Sequence, residues 1–160
     1  MIAILHNIRS SYNVGSIFRT ADGAGFEKLY LCGITPAPVD RFGVADKQIA
    51  KTALGAQNYL AWEKTRQTLT VIKLLKREGY QVLAIEQTKK SVPYYNFRIG
   101  KKKTRLAAVV GYEKTGLPKS ILSIADKILE IPMYGNKESL NVAVAFGIAA
   151  YHLRQIINLR

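Results

Sequence analysis

The sequence predicts an α/β fold in which a mostly parallel sheet carries helices on both faces. Short apolar runs of strand length alternate with longer runs of helical spacing along the whole chain. Two of the short runs, 81–85 and 106–110, are apolar at nearly every position, as central parallel strands are. Glycine or proline punctuates the junctions, as at Gly25, Gly79, Pro118 and Pro132.

Taken in order, Ile2–His6 reads as the first strand, 13–24 as a helix closed by Gly25, and Lys28–Cys32 as the second strand. The proline-containing stretch 34–42 is a loop leading to a short helix at about 44–54, and 58–62 suits an edge strand. Residues 65–78 form an amphipathic helix, with Leu69, Ile72 and Leu75 or Leu74 at helical spacing and Gly79 after it. Beyond the strands 81–85 and 106–110, Pro118 starts a short helix to 125. A strand from Lys127 to Ile131 stops at Pro132, which has no N–H to give a central ladder. The last element, 141–157, is apolar nearly all round and so must be buried on most sides, against a second subunit or within one protomer. Ser139 stands where a hydroxyl can cap its first turn.

Residues 1–160 form one domain with no repeat or linker, large enough to bury a core without staples. The formal charge is +13, which points to a polyanionic partner. A single cysteine, Cys32, excludes a disulfide framework, and His6 and His152 are too far apart to suggest a metal site. No apolar run reaches the ~20 residues of a membrane span and no leader precedes the first strand. The sequence therefore reads as a cytoplasmic protein without metal or membrane.

Four stretches carry candidate chemistry. In Asn13-Val-Gly-Ser-Ile-Phe-Arg19 an amide lies at a helix entrance and a guanidinium under two turns on; Gly15 would admit another chain or a ligand. An Asn cap with a surface Arg is the plain alternative. Gly111-Tyr-Glu-Lys-Thr-Gly116 follows a strand end and frames Glu113 with glycines, but matches neither a P-loop nor a dinucleotide fingerprint; an ordinary turn with a solvated Glu113 remains open. Ser139 and Asn141 sit beyond the end of another strand, where open α/β sheets place ligands. Arg98, Lys101, Lys102, Lys103 and Arg105 follow Tyr94, Tyr95 and Phe97, a mixture suited to looped or single-stranded RNA or else a solvated loop with core-facing aromatics. The basic set Lys64, Arg66, Lys73, Lys76 and Arg77 reads as a solvated helix face.

Together these segments resemble the SpoU (TrmH-like) family of RNA ribose methyltransferases, in the SPOUT superfamily. The resemblance rests on Asn7-Ile-Arg-Ser-Ser-Tyr-Asn-Val-Gly-Ser-Ile-Phe-Arg-Thr-Ala-Asp-Gly-Ala-Gly25, on Gly111-x-Glu113-x-x-Gly116-Leu117, and on Ile131-Pro-Met-x-Gly135 with Ser139-Leu-Asn-Val142. Lys51-Thr-Ala-Leu-Gly-Ala56 and Ala84-Ile-Glu86 belong to the same pattern. Tyr112 and Lys114 depart from it, standing where the family usually has a small or amide residue and a glycine. The resemblance implies a C-terminal trefoil knot, S-adenosyl-L-methionine as cofactor, and an active site completed across a homodimer. It implies that Ile85, Glu86, Gly111, Ile131, Met133 and Leu140 surround the cofactor, and that Arg19, Asn13, Glu113, Ser139 and Asn141 form the catalytic shell. Arg9 and, from the basic run, Lys101, Lys102 and Lys103 are expected to meet RNA. The expected reaction is methylation of a ribose 2′-hydroxyl in tRNA or rRNA. A catalytically idle RNA-binding module and a nucleotide-dependent enzyme for small molecules are the rivals. Tight S-adenosylmethionine binding would count against the first, and failure on free nucleosides against the second.

Overall fold

The structure, a computed structural model, describes residues 1–100 and 105–158. Its centre is a seven-stranded sheet in the order β3-β2-β1-β6-β4-β7-β5, and every pairing between the described strands is parallel. The strands are β1 Ile2–His6, β2 Lys28–Cys32, β3 Ala61–Thr65, β4 Tyr80–Ile85, β5 Val92–Pro93, β6 Arg105–Val110 and β7 Lys127–Glu130. The helices are α1 Ser11–Gly23, α2 Lys47–Ala53, α3 Thr68–Arg77, α4 Lys119–Leu122 and α5 Val142–Asn158.

Alternation along the strands sorts the core into two layers. Ala3 and Leu5 of β1, Leu29 and Leu31 of β2, and Leu106 and Ala108 of β6 face α1, α2 and α5 through Phe18, Ile49 and Phe146. Their neighbours Ile2, Ile4, Tyr30, Ala107 and Val109 face α3 and α4 through Ile72, Leu75 and Ile121. Central β4 and β6 are buried over residues 82–85 and 106–110, where their sequences are continuously apolar.

Several local expectations need correction. Helix α1 begins at Ser11, because the Ser10 hydroxyl accepts from Asn13 N–H and caps the turn. Asn13 is therefore inside the helix, and its side chain is free for other partners. Helix α2 is capped by Asp46, which accepts from the N–H groups of Gln48 and Ile49. The third strand lies at Ala61–Thr65 rather than 58–62, and it carries Lys64, which is thus not on the α3 face. The Lys64 ammonium instead donates to the carbonyls of Gly33 and Thr35. Ser139 does not cap α5. Asn141 does, its Oδ1 accepting from Ala143 N–H at 2.8 Å. Within one chain, α5 buries Phe146, Ala149, Ala150 and Leu153, while Val144 and Tyr151 are 51% and 55% exposed. Phe97 belongs to the core.

Gly15 is a packing residue. A Cβ there would meet the Thr52 hydroxyl and lie 2.5 Å from the Ile49 carbonyl oxygen, so its missing side chain admits α2 of the same chain. Gly15→Ala is expected to destabilise the protein by about 1–3 kcal/mol, the usual cost of overpacking, read as a lower denaturant midpoint at unchanged slope.

Candidate active site

The carboxyl ends of β4, β6 and β7 deliver three loops to one cleft of about 360 Å³. Ile85, Glu86 and Gln87 line it from the first, residues 110–116 from the second, and Ile131, Met133 and residues 139–142 from the third, with Ala145 of α5. All six residues expected around the cofactor are there, together with Glu113, Ser139 and Asn141. Such a volume lies within the range of about 300–1,000 Å³ usual for small-ligand sites.

The wall formed by residues 111–117 is folded tightly on itself. Gly116 N–H donates to the Tyr112 carbonyl at 2.8 Å, and these two residues form an isolated antiparallel bridge. A Cβ on Gly111 would lie 2.6 Å from the Gly116 carbonyl carbon and 2.7 Å from Leu117 N, so this glycine is required by the loop's own closure. The Glu86 carboxylate accepts from Leu117 N–H at 2.8 Å and from Gln87 N–H at 3.0 Å, pinning this loop to the end of β4. The departures at Tyr112 and Lys114 leave that closure in place. Gly111→Ala is expected to abolish cofactor-sized ligand binding while the sheet stays folded, checked by calorimetry beside circular dichroism.

A chain of hydrogen bonds links the three motifs. Asn141 Nδ2 donates to Asn13 Oδ1 at 3.1 Å, and Asn13 Nδ2 donates to Glu113 Oε1 at 3.1 Å. Glu113 also accepts from the backbone N–H groups of Arg9 and Ser10, at 3.1 Å each. Glu113 is exposed, but it is held by donors from outside its own turn and sits at the N-terminus of α1, where N–H groups point outward. Burial pushes its pKa up, but the donors at Arg9, its own backbone, Ser10 and Asn13 outweigh this and hold it below the ordinary 4.5. A depressed carboxyl contributes stability that is present above the unfolded-state value and lost as pH falls through the folded one. The unfolding midpoint should accordingly fall below pH 4.5 in the wild type, and this part of the loss should be missing in Glu113→Gln.

Two expected site residues stand elsewhere. Arg19 lies outside the cleft, exposed in a second hollow with Ser16, Thr20, Asp22, Lys51, Thr52, Leu54 and Tyr151 between α1, α2 and α5. Arg9 is exposed beside Tyr112 and Glu113. Lys101, Lys102 and Lys103 fall outside the described residues. Sequence reasoning overlooked Gln87, whose amide donates to the Ile131 carbonyl at 3.2 Å across the cleft floor, and Asp46, which accepts from the Ser11 hydroxyl at 2.6 Å. The signal for Asp46 was present, an acidic residue directly before a helical run. Among the described residues no group of His, Cys, Asp or Glu could hold a metal ion, and no helix is long and apolar enough to cross a membrane.

Residues 1–151 match the SpoU rRNA Methylase family. The chain belongs to that family. It is 32% identical, over 97% of its length, to the tRNA (guanosine(18)-2′-O)-methyltransferase of Aquifex aeolicus, covering 69% of that protein. It is also 32% identical to the 23S rRNA (guanosine(2553)-2′-O)-methyltransferase of Bacillus subtilis, over 96% of this chain and 57% of that one. A crystal structure of an AdoMet-bound rRNA methyltransferase from Sinorhizobium meliloti superposes with a TM-score of 0.84 at 28% identity, over 96% of this chain and 55% of that one. The chain thus spans between little more than half and about two thirds of the length of these relatives.

Proposed function

We propose that this SpoU-family chain is an S-adenosylmethionine-dependent RNA methyltransferase acting on a ribose 2′-hydroxyl in tRNA or rRNA, in the cytoplasm. The observation that carries the reading is the convergence of three loops on one cleft, with Asn13, Glu113 and Asn141 joined by hydrogen bonds at its rim. The names of its relatives in Aquifex and Bacillus, both guanosine 2′-O-methyltransferases, support the same chemistry.

The donor set fits the cofactor. Ile85, Val110, Ile131, Leu140 and Val142 give the cleft apolar walls, and the loop backbones give it polar edges. S-adenosylmethionine supplies an electrophilic methyl group on a sulfonium, a reaction needing an aligned acceptor oxygen and a route for its proton. Ile85, Gly111, Ile131 and Leu140 would hold the cofactor largely through backbone groups, with Met133 and Glu86 lining the same cleft. Glu113, its lone pairs engaged by N–H donors, fixes the α1 entrance against the cleft rather than taking a proton. Asn13, Ser139 and Asn141 present the polar edge met by the ribose. Arg19 orients the 2′-hydroxyl and its phosphate and stabilises developing oxyanion charge, its planar fork being suited to both. Arg9 and Lys101, Lys102 and Lys103 meet RNA phosphates.

A homodimer with shared sites accounts for two observations. The face of α5 bearing Val144 and Tyr151 is exposed, and Arg19 stands in a hollow away from the cleft of its own chain, where a partner's cleft can receive it. The C-terminal trefoil knot is supported by register. Ile85 of β4 and Val92 of β5 both pair with Leu129 of the intervening β7, so residues 86–91 arch over the end of β7. In the knotted path the chain leaving β7 passes beneath that arch to reach α5.

Ribose-methylation mapping by mass spectrometry, on RNA from cells with and without this protein, tests the function. One 2′-O-methyl site lost on deletion is the expected result; an unchanged map would refute it.

A further inference from the structure

We propose that the hairpin at 39–45 is a base-stacking finger, presenting the Phe42 ring and the Arg41 guanidinium to an unpaired nucleobase of RNA. It deepens the RNA-directed reading above but does not depend on methyl transfer.

Phe42 is 74% exposed, flanked by Val39 at 40% and Val44 at 64%, so this segment displays apolar surface that burial would normally remove. The display is built rather than slack. Val39 and Ala45 form an antiparallel bridge, and Asp40 N–H donates to the Val44 carbonyl at 2.9 Å. The Asp40 carboxylate accepts from the N–H groups of Phe42 at 2.8 Å and Val44 at 2.9 Å, so one side chain fixes both residues around the tip. The Arg41 guanidinium carbon lies 4.7 Å from the Phe42 ring centroid. A rigid ring with a planar cation against it offers a nucleobase a stacking surface and a phosphate a counter-charge, at little ordering cost.

The finger's base is fastened to the site. Asp46 N–H donates to the Pro38 carbonyl at 2.9 Å, and the Asp46 carboxylate accepts from the Ser11 hydroxyl at the first turn of α1. The preceding residues, Arg9 and Ser10, hold Glu113 at the rim of the cleft. A nucleotide stacked on Phe42 is therefore registered against the α1 entrance. Charge selects the occupant: the Asp40 carboxylate turns inward onto the N–H groups of Phe42 and Val44 while Arg41 lies on the ring, and the chain's net charge of +13 complements a polyanion bearing aromatic bases, not an apolar peptide.

Phe42→Trp in a Trp62→Phe background makes the tip the sole tryptophan of the chain. Its fluorescence should be quenched by a single-stranded oligoribonucleotide and unaffected by inorganic polyphosphate at equal charge. Phe42→Ala should weaken oligoribonucleotide binding about tenfold, within the range known for base–aromatic stacking, with S-adenosylmethionine affinity and unfolding midpoint unchanged. Equal quenching by polyphosphate, or unaltered RNA affinity in Phe42→Ala, would overturn the finger. A concentration-dependent shift of Phe42→Ala towards monomer in sedimentation would overturn it too, assigning the ring to a second copy. Quenching by RNA in a protein that transfers no methyl group would uphold the finger and reject the methyltransferase reading.

Discussion

Replacing Arg19 by Lys should lower the methylation rate by about 100-fold or more while leaving S-adenosylmethionine affinity within about twofold, since the role proposed for it is to meet developing charge and not to hold the cofactor. Lys keeps the positive charge but not the planar fork, so a residue acting only through the long-range field would tolerate the change. Arg19 lies outside the cleft proposed to receive the cofactor. Cofactor binding should therefore be unaffected. Single-turnover methylation beside calorimetry separates the two quantities, and a wild-type rate would remove Arg19 from the catalytic shell.

Replacing Asn141 by Ala should cost both stability and turnover. The Asn141 side chain caps α5 at Ala143 N–H and reaches Asn13, and loss of a cap typically costs about 1 kcal/mol. Turnover should fall by about 100-fold, the scale for one lost polar contact to the reacting centre, because Asn13 and Glu113 lose their link to the third loop. Cofactor affinity should weaken as well, since Leu140 is its neighbour on the cleft wall. If Arg19 serves the partner's cleft, mixing Arg19→Lys with Asn141→Ala protein should restore part of the activity, one site in each exchanged dimer being intact. Verified subunit exchange without recovery would place both residues in the same protomer's site.

The elements that sequence located best are those set by burial. Residues of β1 and β2 have continuous apolar runs bounded by polar ones, and both strands were legible to the residue. The ends that shifted are governed by side-chain hydrogen bonds that local pattern does not rank: Ser10 rather than Asn13 caps α1, and Asn141 rather than Ser139 caps α5. Edge strand β5 was invisible, because two residues containing a proline carry no period. The cleft residues were legible through the motifs, since Gly111 and Glu113 directly follow a strand end where parallel sheets open and Asn141 enters the helix beyond the next one. What the motifs do to one another was not legible. That Glu86 pins Leu117, that Gly15 serves α2, and that Asn13 bridges Glu113 to Asn141 are contacts across distant sequence, which only the fold supplies.

The most direct test is to incubate purified protein with tRNA or rRNA and S-adenosylmethionine carrying a labelled methyl group, then digest the RNA and separate the nucleosides by mass spectrometry. The account predicts label in a single 2′-O-methylnucleoside and none on a base. Label on a base, or no transfer to any RNA by protein that binds both cofactor and RNA, would contradict it.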